Sequence, residues 1–367
     1  MDDRARASER EAMSRVPFAR ASAGPIRDAY DGIVCDLDGV VYRGTGAVPG
    51  APAALRRLAA HGVRIVYATN NASRLPGEVA EHLGTLGLPA TAGDVVTSAQ
   101  AGAAELTTML APGSRILALG GPGVAAALAD AGLDAVLPGS PDAEEPVDAV
   151  LQGLGRGLTV RDFETAARHL AGGVVWVATN ADSTLPLEWG LAPGNGAYVA
   201  LLAAAVGREP TVVGKPQAPL YRAAVQRLGT RPEATLAVGD RLDTDIAGAA
   251  AAGLDSAWLL TGVHRASELL RHHEVGVPTW VLGALGELEQ PYAAVFPAAD
   301  GWTCAGGRVA LSASGLDVVA GGARPVELVR AGLTAVLDAV EGGTVGLPEL
   351  ERFAGELDEL LDLPGSS

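Results

Sequence analysis

Short apolar runs alternate with amphipathic stretches along most of the chain. The run GIVCDL at 32–37 ends in a polar, glycine-rich loop, and a helical pattern, PGAPAALRRLAAHG, separates it from a second apolar run, VRIVYATNN. Strands and helices at this spacing predict a parallel sheet with helical crossovers. In such sheets the chemistry lies beyond the carboxyl ends of the strands. We therefore expect the polar residues that follow the apolar runs to lie together at one edge of the sheet.

The same alternation divides the chain into an interrupted core and an inserted unit. A long middle stretch carries enough strands and helices for a second α/β unit, after which the first pattern resumes with TLAVGD and DSAWLLTGV. The last part differs, since short strands with glycine turns and two amphipathic helices predict a small α+β appendage. The predicted boundaries are a disordered leader at 1–29, a core at 30–75 and 208–285, an inserted unit at 76–207 and a C-terminal appendage at 286–367.

Charge and composition narrow the class of protein. The 367 residues are 48% hydrophobic and carry a net charge of −16, which argues against nucleic acid or an anionic membrane as the main partner. No apolar stretch reaches the roughly 18 residues of a membrane helix. Cys35 and Cys304 lack metal-ligand spacing, and Cys35 lies in an apolar run, which favours reduced thiols. The charged N-terminus has no secretory signal, so we expect a cytoplasmic enzyme.

Two carboxylates stand at the end of the first apolar run, in Asp36-Leu37-Asp38-Gly39. Like charges this close raise each other's pKa unless a cation lies between them. Mg²⁺ is the natural candidate, because it is a hard ion that takes oxygen ligands. Taken alone, the motif is also compatible with an ordinary turn after a strand, where Asp and Gly are common.

A second acidic cluster follows the strand TLAV. Asp240 stands at the strand end, where it can supply a metal oxygen, while Thr244 and Asp245 stand where a helix begins and could equally cap it. Capping does not account for a further carboxylate at the strand end. Two acidic strand ends on one sheet therefore favour a metal site.

Two further segments are suited to a phosphoryl group. Thr69, Asn70 and Asn71 follow the strand VRIVYA, where hydroxyl, amide and backbone N–H groups can hold phosphoryl oxygens, although a polar turn has the same composition. Lys215 lies between Gly214 and Pro216 after an apolar run. A fixed ammonium there would neutralise phosphate charge, whereas an isolated lysine is more often a surface charge.

In order and spacing the four segments resemble the haloacid dehalogenase-like (HAD) phosphatase superfamily. The resemblance is closest to the subclass with a large cap inserted between the second and third motifs, which includes phosphatases of N-acetylglucosamine phosphate, 4-nitrophenyl phosphate, phosphoglycolate and pyridoxal phosphate. ATNNASR, LPLEWGLAPGNGAYVALLAAAVG, GKP and GDRLDTDIAGA follow its pattern, and the resemblance covers roughly Gly32 to Gly262. The appendage resembles, more weakly, the tail of actinobacterial members described as glycerol-3-phosphate phosphatases.

The resemblance implies a fold, a cofactor and a nucleophile. The fold would be α/β, with a Rossmann-like HAD core, an inserted C2-type α/β cap and the appendage. Asp36 would attack phosphorus and form an aspartyl-phosphate. Asp38 would protonate the leaving alkoxide and then deprotonate the hydrolytic water. Mg²⁺ would be held by carboxylate oxygens of Asp36 and Asp240 and by the main-chain carbonyl of Asp38.

The resemblance also implies supporting roles. Asp245, with Asp243 as a lesser candidate, would orient metal-bound water. Thr69 and the Asn70–Asn71 region would bind phosphoryl oxygens, and Lys215 would stabilise charge on the nucleophile and the phosphate.

Several questions stay open at the level of sequence. The expected activity is Mg²⁺-dependent hydrolysis of a small phosphorylated metabolite, with glycerol 3-phosphate as first choice and phosphoglycolate, pyridoxal phosphate or a nucleotide as alternatives. A phosphotransferase or phosphomutase could use the same residues, and a non-enzymatic ligand-binding protein is a third reading. Caps of this type often pair, so a homodimer through the cap is expected.

Overall fold

The computed structural model describes residues 18, 20–187, 189–262, 264–271, 276–321 and 323–362. The strands are β1 (Gly32–Cys35), β2 (Tyr42–Arg43), β3 (Gly46–Ala47), β4 (Arg64–Thr69), β5 (Val95–Thr97), β6 (Arg115–Leu119), β7 (Asp134–Val136), β8 (Ala149–Gln152), β9 (Val175–Ala178), β10 (Thr184–Leu187), β11 (Gly190–Pro193), β12 (Thr211–Val212), β13 (Thr235–Gly239), β14 (Asp255–Leu259), β15 (Trp280–Leu282), β16 (Val295–Ala298), β17 (Gly301–Cys304), β18 (Gly307–Leu311) and β19 (Leu316–Ala320). The helices are α1 (Ala51–Ala60), α2 (Pro76–Thr85), α3 (Ser98–Met109), α4 (Pro122–Asp130), α5 (Val160–Ala171), α6 (Asn195–Val206), α7 (Ala218–Leu228), α8 (Ala247–Ala251), α9 (Ala266–Arg271), α10 (Pro325–Glu341) and α11 (Leu347–Leu361). A π-helical turn at Leu242–Ile246 precedes α8.

The core is a six-stranded parallel sheet in the order β15-β14-β13-β1-β4-β5. Its central strands are short apolar runs buried on both faces, as parallel sheets covered by helices require. Strands from both halves of the chain lie side by side, because β13 pairs with β1. The predicted closure of one sheet from two separated segments is therefore confirmed. The order of the strands reverses between β1 and β13, which makes their carboxyl ends the switch point where ligands bind.

The inserted unit has a parallel sheet of its own, in the order β12-β9-β8-β6-β7, and an antiparallel hairpin, β10–β11. Its boundaries differ from those predicted. β5, expected in the inserted unit, pairs with β4 in the core sheet, and β12, expected in the core, pairs with β9. Both sheets are built from the same strand–helix alternation, so the local pattern cannot tell which sheet a strand joins. We call the unit from β6 to β12 the cap.

The sequence predicted that ordered structure starts at Tyr30, but it begins earlier in the chain. Ser22 forms a backbone bridge with Tyr292, and Ile26, in a short 3₁₀ helix, is 1% exposed and packs in the core. The prediction of a disordered leader is therefore wrong for residues 20–29, because their partners lie far away in sequence. Residues 1–17 and 19 of that leader lie outside the described residues.

The appendage is a four-stranded antiparallel sheet, β16-β17-β18-β19, with α10 and α11, as the sequence predicted. It packs on the core through α10, whose Arg330 is fully buried. Arg330 Nε donates to the Val281 carbonyl at 2.9 Å, and the guanidinium lies 3.9 Å from the centre of the Tyr292 ring.

Among the described residues no helix is long and apolar enough to cross a bilayer.

Candidate active site

Three neighbouring strands bring their carboxyl ends together. β1 lies between β13 and β4, and all three run in parallel. Asp36 directly follows β1, Thr69 ends β4 and Asp240 directly follows β13. The backbone N–H of Asp36 still donates to the Val238 carbonyl at 2.8 Å, which continues the ladder by one residue and fixes the nucleophile candidate at the sheet edge. The predicted meeting of the strand ends is therefore present.

Three carboxylates meet at this edge. Asp36, Asp240 and Asp245 each offer a carboxylate oxygen, and these atoms lie within 4.8 Å of one another, with Asp240 and Asp245 almost fully buried. Such a group of hard oxygen donors fits Mg²⁺, which would remove the repulsion among them. Space here is tight, because a Cβ on Gly39 (φ +86°) or on Gly262 would overlap the Asp240 side chain. Glycine is needed at both positions for Asp240 to lie where it does.

Lys215 joins two of these carboxylates from inside the protein. Its side chain is 3% exposed, and Nζ lies 2.5 Å from Asp36 Oδ1 and 2.8 Å from Asp245 Oδ1. Burial alone would lower the pKa of Lys215, but the Asp245 and Asp36 carboxylates raise it well above its usual value. The ammonium is therefore a permanent charge at the nucleophile. Burial raises the pKa of Asp36, and Lys215 opposes that rise.

Asp245 is engaged on both oxygens. Besides the bond from Lys215, its Oδ2 accepts the backbone N–H of Arg241 at 3.1 Å, and the Tyr221 hydroxyl donates to its main-chain carbonyl at 3.0 Å. These bonds suit a carboxylate that orients its neighbours. Asp243, the lesser candidate, is not brought to the cluster. Its carboxylate is 40% exposed and paired with the Arg241 guanidinium at 2.7 Å.

Asp38 lies at the mouth of the site. Solvent reaches its side chain, yet the protein packed around the carboxyl raises its pKa through partial desolvation, against the opposing charges of Lys215, Arg74 and His82. A raised pKa is what a general acid needs, because the group must be protonated when the leaving group departs. Asp36 and Asp38 thus differ in surroundings although they are two residues apart.

The segment after β4 has a different arrangement from the simple phosphate cradle that its composition suggests. Asn70 braces Lys215, since its Oδ1 accepts the Lys215 backbone N–H at 2.8 Å and its Nδ2 donates to the Lys215 carbonyl at 3.2 Å. Asn71 Oδ1 accepts both the N–H and the hydroxyl of Ser73. The buried Thr69 hydroxyl accepts the Asn71 N–H at 3.1 Å. Phosphate binding by these three residues stays a prediction.

The cap supplies residues that the sequence prediction gave no role. Asn180 Nδ2 donates to the Asn70 carbonyl at 2.8 Å, and the Asp182 carboxylate accepts from Asn70 Nδ2 at 3.3 Å. Burial raises the pKa of Asp182. One signal could have found them, because the sequence Ala-Thr-Asn occurs twice, at 68–70 after a core strand and at 178–180 after a cap strand. The two copies meet where the cap closes on the core.

A parallel core with an inserted α/β cap, and a buried lysine bridging aspartates at the switch point, define the class of this protein as a hydrolase of the HAD type. Comparison with known families agrees. The family described as "Haloacid dehalogenase-like hydrolase" matches residues 33–134, and the one described as "HAD-hydrolase-like" matches 212–288. The chain belongs to the haloacid dehalogenase-like hydrolases.

Curated relatives and solved structures specify the class further. The chain is 42% identical to D-glycerol 3-phosphate phosphatase of Mycobacterium tuberculosis, over 86% of this chain and 88% of that protein. It is 40% identical to glycerol-3-phosphate phosphatase of Gallus gallus, over 68% of this chain and 85% of that protein. The crystal structure of the M. tuberculosis glycerol phosphate phosphatase in complex with magnesium superimposes with a TM-score of 0.77 and 41% identity, over 86% of this chain and 93% of that one. The chain is a phosphatase, and the predicted fold and Mg²⁺ cofactor are confirmed.

Proposed function

We propose that this phosphatase hydrolyses glycerol 3-phosphate with Asp36 as its nucleophile. The contact of Lys215 Nζ with Asp36 Oδ1, at 2.5 Å within the acidic cluster, carries the mechanistic part. It places one fixed positive charge where a phosphate dianion would meet a carboxylate. The substrate rests on the relatives. The M. tuberculosis match covers 86% of the chain, more than residues 1–285 could supply, so the similarity extends into the appendage.

The first step transfers the phosphoryl group to the protein. An oxygen of the ionised Asp36 carboxylate attacks phosphorus, and the bond between phosphorus and the glycerol oxygen breaks on the opposite side. The departing alkoxide takes the proton of the Asp38 carboxyl and leaves as an alcohol. An aspartyl-phosphate on Asp36 and an ionised Asp38 remain.

The second step releases phosphate. Asp38 removes a proton from a water molecule, whose oxygen attacks the same phosphorus, and the acyl-phosphate bond to Asp36 breaks. Inorganic phosphate leaves, Asp36 is again a carboxylate and Asp38 is again protonated. One group thus serves as acid and then as base, for which a position accessible to solvent suits Asp38.

Charge stabilisation accompanies both steps. Lys215 faces the charge that spreads over the phosphoryl oxygens, and Asn70 holds its backbone on both sides. Mg²⁺ at Asp36 and Asp240 would neutralise charge on the same oxygens. Asp245 keeps the ammonium directed at Asp36, because it binds Nζ from the buried side at 2.8 Å.

Phosphotransfer to an acceptor other than water is the second candidate function, because the same aspartyl-phosphate could serve it. A phosphotransferase or phosphomutase would give a phosphorylated product in place of free phosphate. Adding glycerol, glucose or a nucleoside to the assay and analysing products by ³¹P NMR separates the two. A purely ligand-binding protein would release no phosphate at all.

The substrate proposal predicts a ranking in a direct assay. Purified protein with Mg²⁺ is expected to release phosphate from glycerol 3-phosphate with a higher kcat/KM than from phosphoglycolate, pyridoxal phosphate or a 5′-nucleotide, and EDTA is expected to stop release until Mg²⁺ is restored. Phosphate release is measured against a control with 4-nitrophenyl phosphate, which reports on the site without a metabolite. A higher kcat/KM for another of these substrates would overturn the proposed substrate and leave the mechanism intact.

We also propose a cap-mediated homodimer in the cytoplasm. The hairpin β10–β11 presents Trp189 and Leu191, which are 72% and 65% exposed, and large exposed apolar side chains close together mark interaction surfaces. Cys35 and Cys304 are free and buried, which agrees with a reducing compartment.

The dimer can be tested by light scattering after size exclusion. The parent is expected to be a dimer, with twice the chain mass of 37.0 kDa. The Trp189→Glu variant is expected to be a monomer, with the mass of a single chain. Phe296→Glu is the control, because Phe296 is also exposed (46%) but lies on the appendage. A monomeric parent at micromolar concentration would remove the proposal.

A further inference from the structure

Trp258 connects the metal ligand Asp240 to the appendage. It lies in β14, in register with Gly239 of β13, the residue before Asp240. Its side chain is fully buried, and the indole Nε1–H donates to the main-chain carbonyl of Asp240 at 2.9 Å. A buried carbonyl that loses its donor is costly, so this bond holds the backbone of Asp240 in place.

The indole of Trp258 packs on one face of the core sheet, while its neighbours in β14 pack on the other. Ala257 and Leu259, the neighbours of Trp258 in β14, pack with the cluster on the opposite face of the sheet. Trp258 itself packs in the cluster that contains Val281 of β15 and the apolar side chains of the appendage helices. The indole of Trp258, the face of β15 and the appendage helices therefore belong to one apolar cluster, to which the Leu242–Ile246 turn also contributes.

The loop that carries the acidic residues packs into the same cluster. Leu242 and Ile246, on either side of Asp243 and Asp245, are both buried there together with Val329 and Leu333 of α10. The loop is thus fixed from two directions, by a hydrogen bond to its first residue and by apolar side chains that share one core with the appendage. Closely packed cores resist small displacements of this kind.

We propose that Trp258 is a positioning residue for the metal site and that the appendage sets Mg²⁺ affinity by keeping it in place. The inference rests on the proposed role of Asp240 in binding Mg²⁺. It assigns the appendage a task within the catalytic unit. Mutation of residues that support a metal ligand typically costs about 10–100-fold in metal affinity or activity.

The test is Mg²⁺ binding to the full-length, metal-free protein, measured by isothermal titration calorimetry. Trp258→Phe keeps an aromatic ring but removes the donor, and it is expected to raise the Mg²⁺ dissociation constant about 10-fold or more. At saturating Mg²⁺ its kcat should stay close to that of the parent, while the half-saturating Mg²⁺ concentration rises. A variant that merely folds less well would have fewer active molecules, so its apparent kcat would fall while its half-saturating Mg²⁺ concentration stayed unchanged.

Trp280→Phe is the matched control. Trp280 lies in the adjacent strand, is 1% exposed and donates through Nε1 to the Tyr30 hydroxyl at 2.8 Å, on the opposite face of the sheet. The Trp280→Phe variant should have the same Mg²⁺ dissociation constant as the parent. Equal weakening in both tryptophan variants, or unchanged affinity in Trp258→Phe, would overturn the assignment of Trp258. A parent that binds no Mg²⁺ would instead contradict the proposed metal site.

A second pair tests the appendage, and it also serves if Trp258→Phe does not fold. Val329→Ala removes two methyl groups from the fully buried face of α10, and we expect a smaller rise in the Mg²⁺ dissociation constant. Val95→Ala makes the same change at a fully buried position in β5, at the far edge of the core sheet, and should leave the constant unchanged. Unchanged affinity in Val329→Ala would exclude the appendage from this role.

Discussion

Replacing Asp36 by asparagine is expected to reduce kcat by roughly 10⁴- to 10⁶-fold, the range associated with loss of a catalytic nucleophile. The amide has the size of the carboxylate but cannot form the acyl-phosphate, and it also loses the ion pair with Lys215 at 2.5 Å. The measurement is turnover of 4-nitrophenyl phosphate and glycerol 3-phosphate with saturating Mg²⁺. Acid quenching of the parent during turnover, followed by mass spectrometry, should find phosphate on the peptide that contains Asp36.

Asp243→Asn is the control for that experiment. Asp243 is also an aspartate next to the site, but it is 40% exposed and paired with Arg241, outside the acidic cluster. Its variant should keep kcat within a few-fold of the parent, because the Asp243 carboxylate is paired with Arg241 and is not a member of the acidic cluster. Turnover of Asp36→Asn at the level of the Asp243 variant would exclude Asp36 as nucleophile, as would covalent phosphate on another residue.

Replacing Asp38 by asparagine is expected to affect two substrates differently. With glycerol 3-phosphate, the first step needs a proton on the leaving alkoxide, and its rate should fall by about 10²- to 10⁴-fold. With 4-nitrophenyl phosphate the leaving group is stable without a proton, so the first step should continue while hydrolysis of the aspartyl-phosphate slows. Stopped-flow measurement should therefore show a burst of one nitrophenolate per active site.

The burst separates acid–base chemistry from loss of structure. Its amplitude counts the sites that still transfer the phosphoryl group to Asp36, so it serves as the internal control for folding and metal binding. An Asp38→Asn variant that loses the first step equally with both substrates would contradict the role of Asp38 as the general acid.

The position of Lys215 explains how crowded acids can coexist with an active nucleophile. Asp36 and Asp245 share one buried ammonium, and Asn70 holds the lysine backbone by two hydrogen bonds. Asn70 in turn receives a hydrogen bond from Asn180 of the cap. The nucleophile, its counter-charge and the closure of the cap are therefore parts of one connected network, whose members come from five separate segments of the chain.

Much of the site could be predicted from sequence because each part has a local signature. A buried parallel strand appears as an apolar run, and the residue type that follows it is visible without any knowledge of tertiary contacts. This is why Asp36 and Asp240 were assigned to the strand ends of one sheet and a metal site was predicted there. The role of Lys215 and the class of hydrolase were instead implied by the resemblance of the four motifs to a known family. The antiparallel appendage was found for the same reason, from its glycine turns and amphipathic helices.

Only the tertiary structure decided which elements share a layer. The strand–helix alternation is the same in both sheets, so the exchange of β5 and β12 between core and cap could not be predicted. The sequence predicted Asn70 only as a phosphate ligand, and the structure adds that its side chain braces the backbone of Lys215, 145 residues away in sequence. The hydrogen bond from Trp258 to Asp240 and the shared core with the appendage likewise join residues that are far apart in sequence. A local pattern specifies which face of an element is apolar, whereas the partner of that face is chosen by the packing of the whole chain.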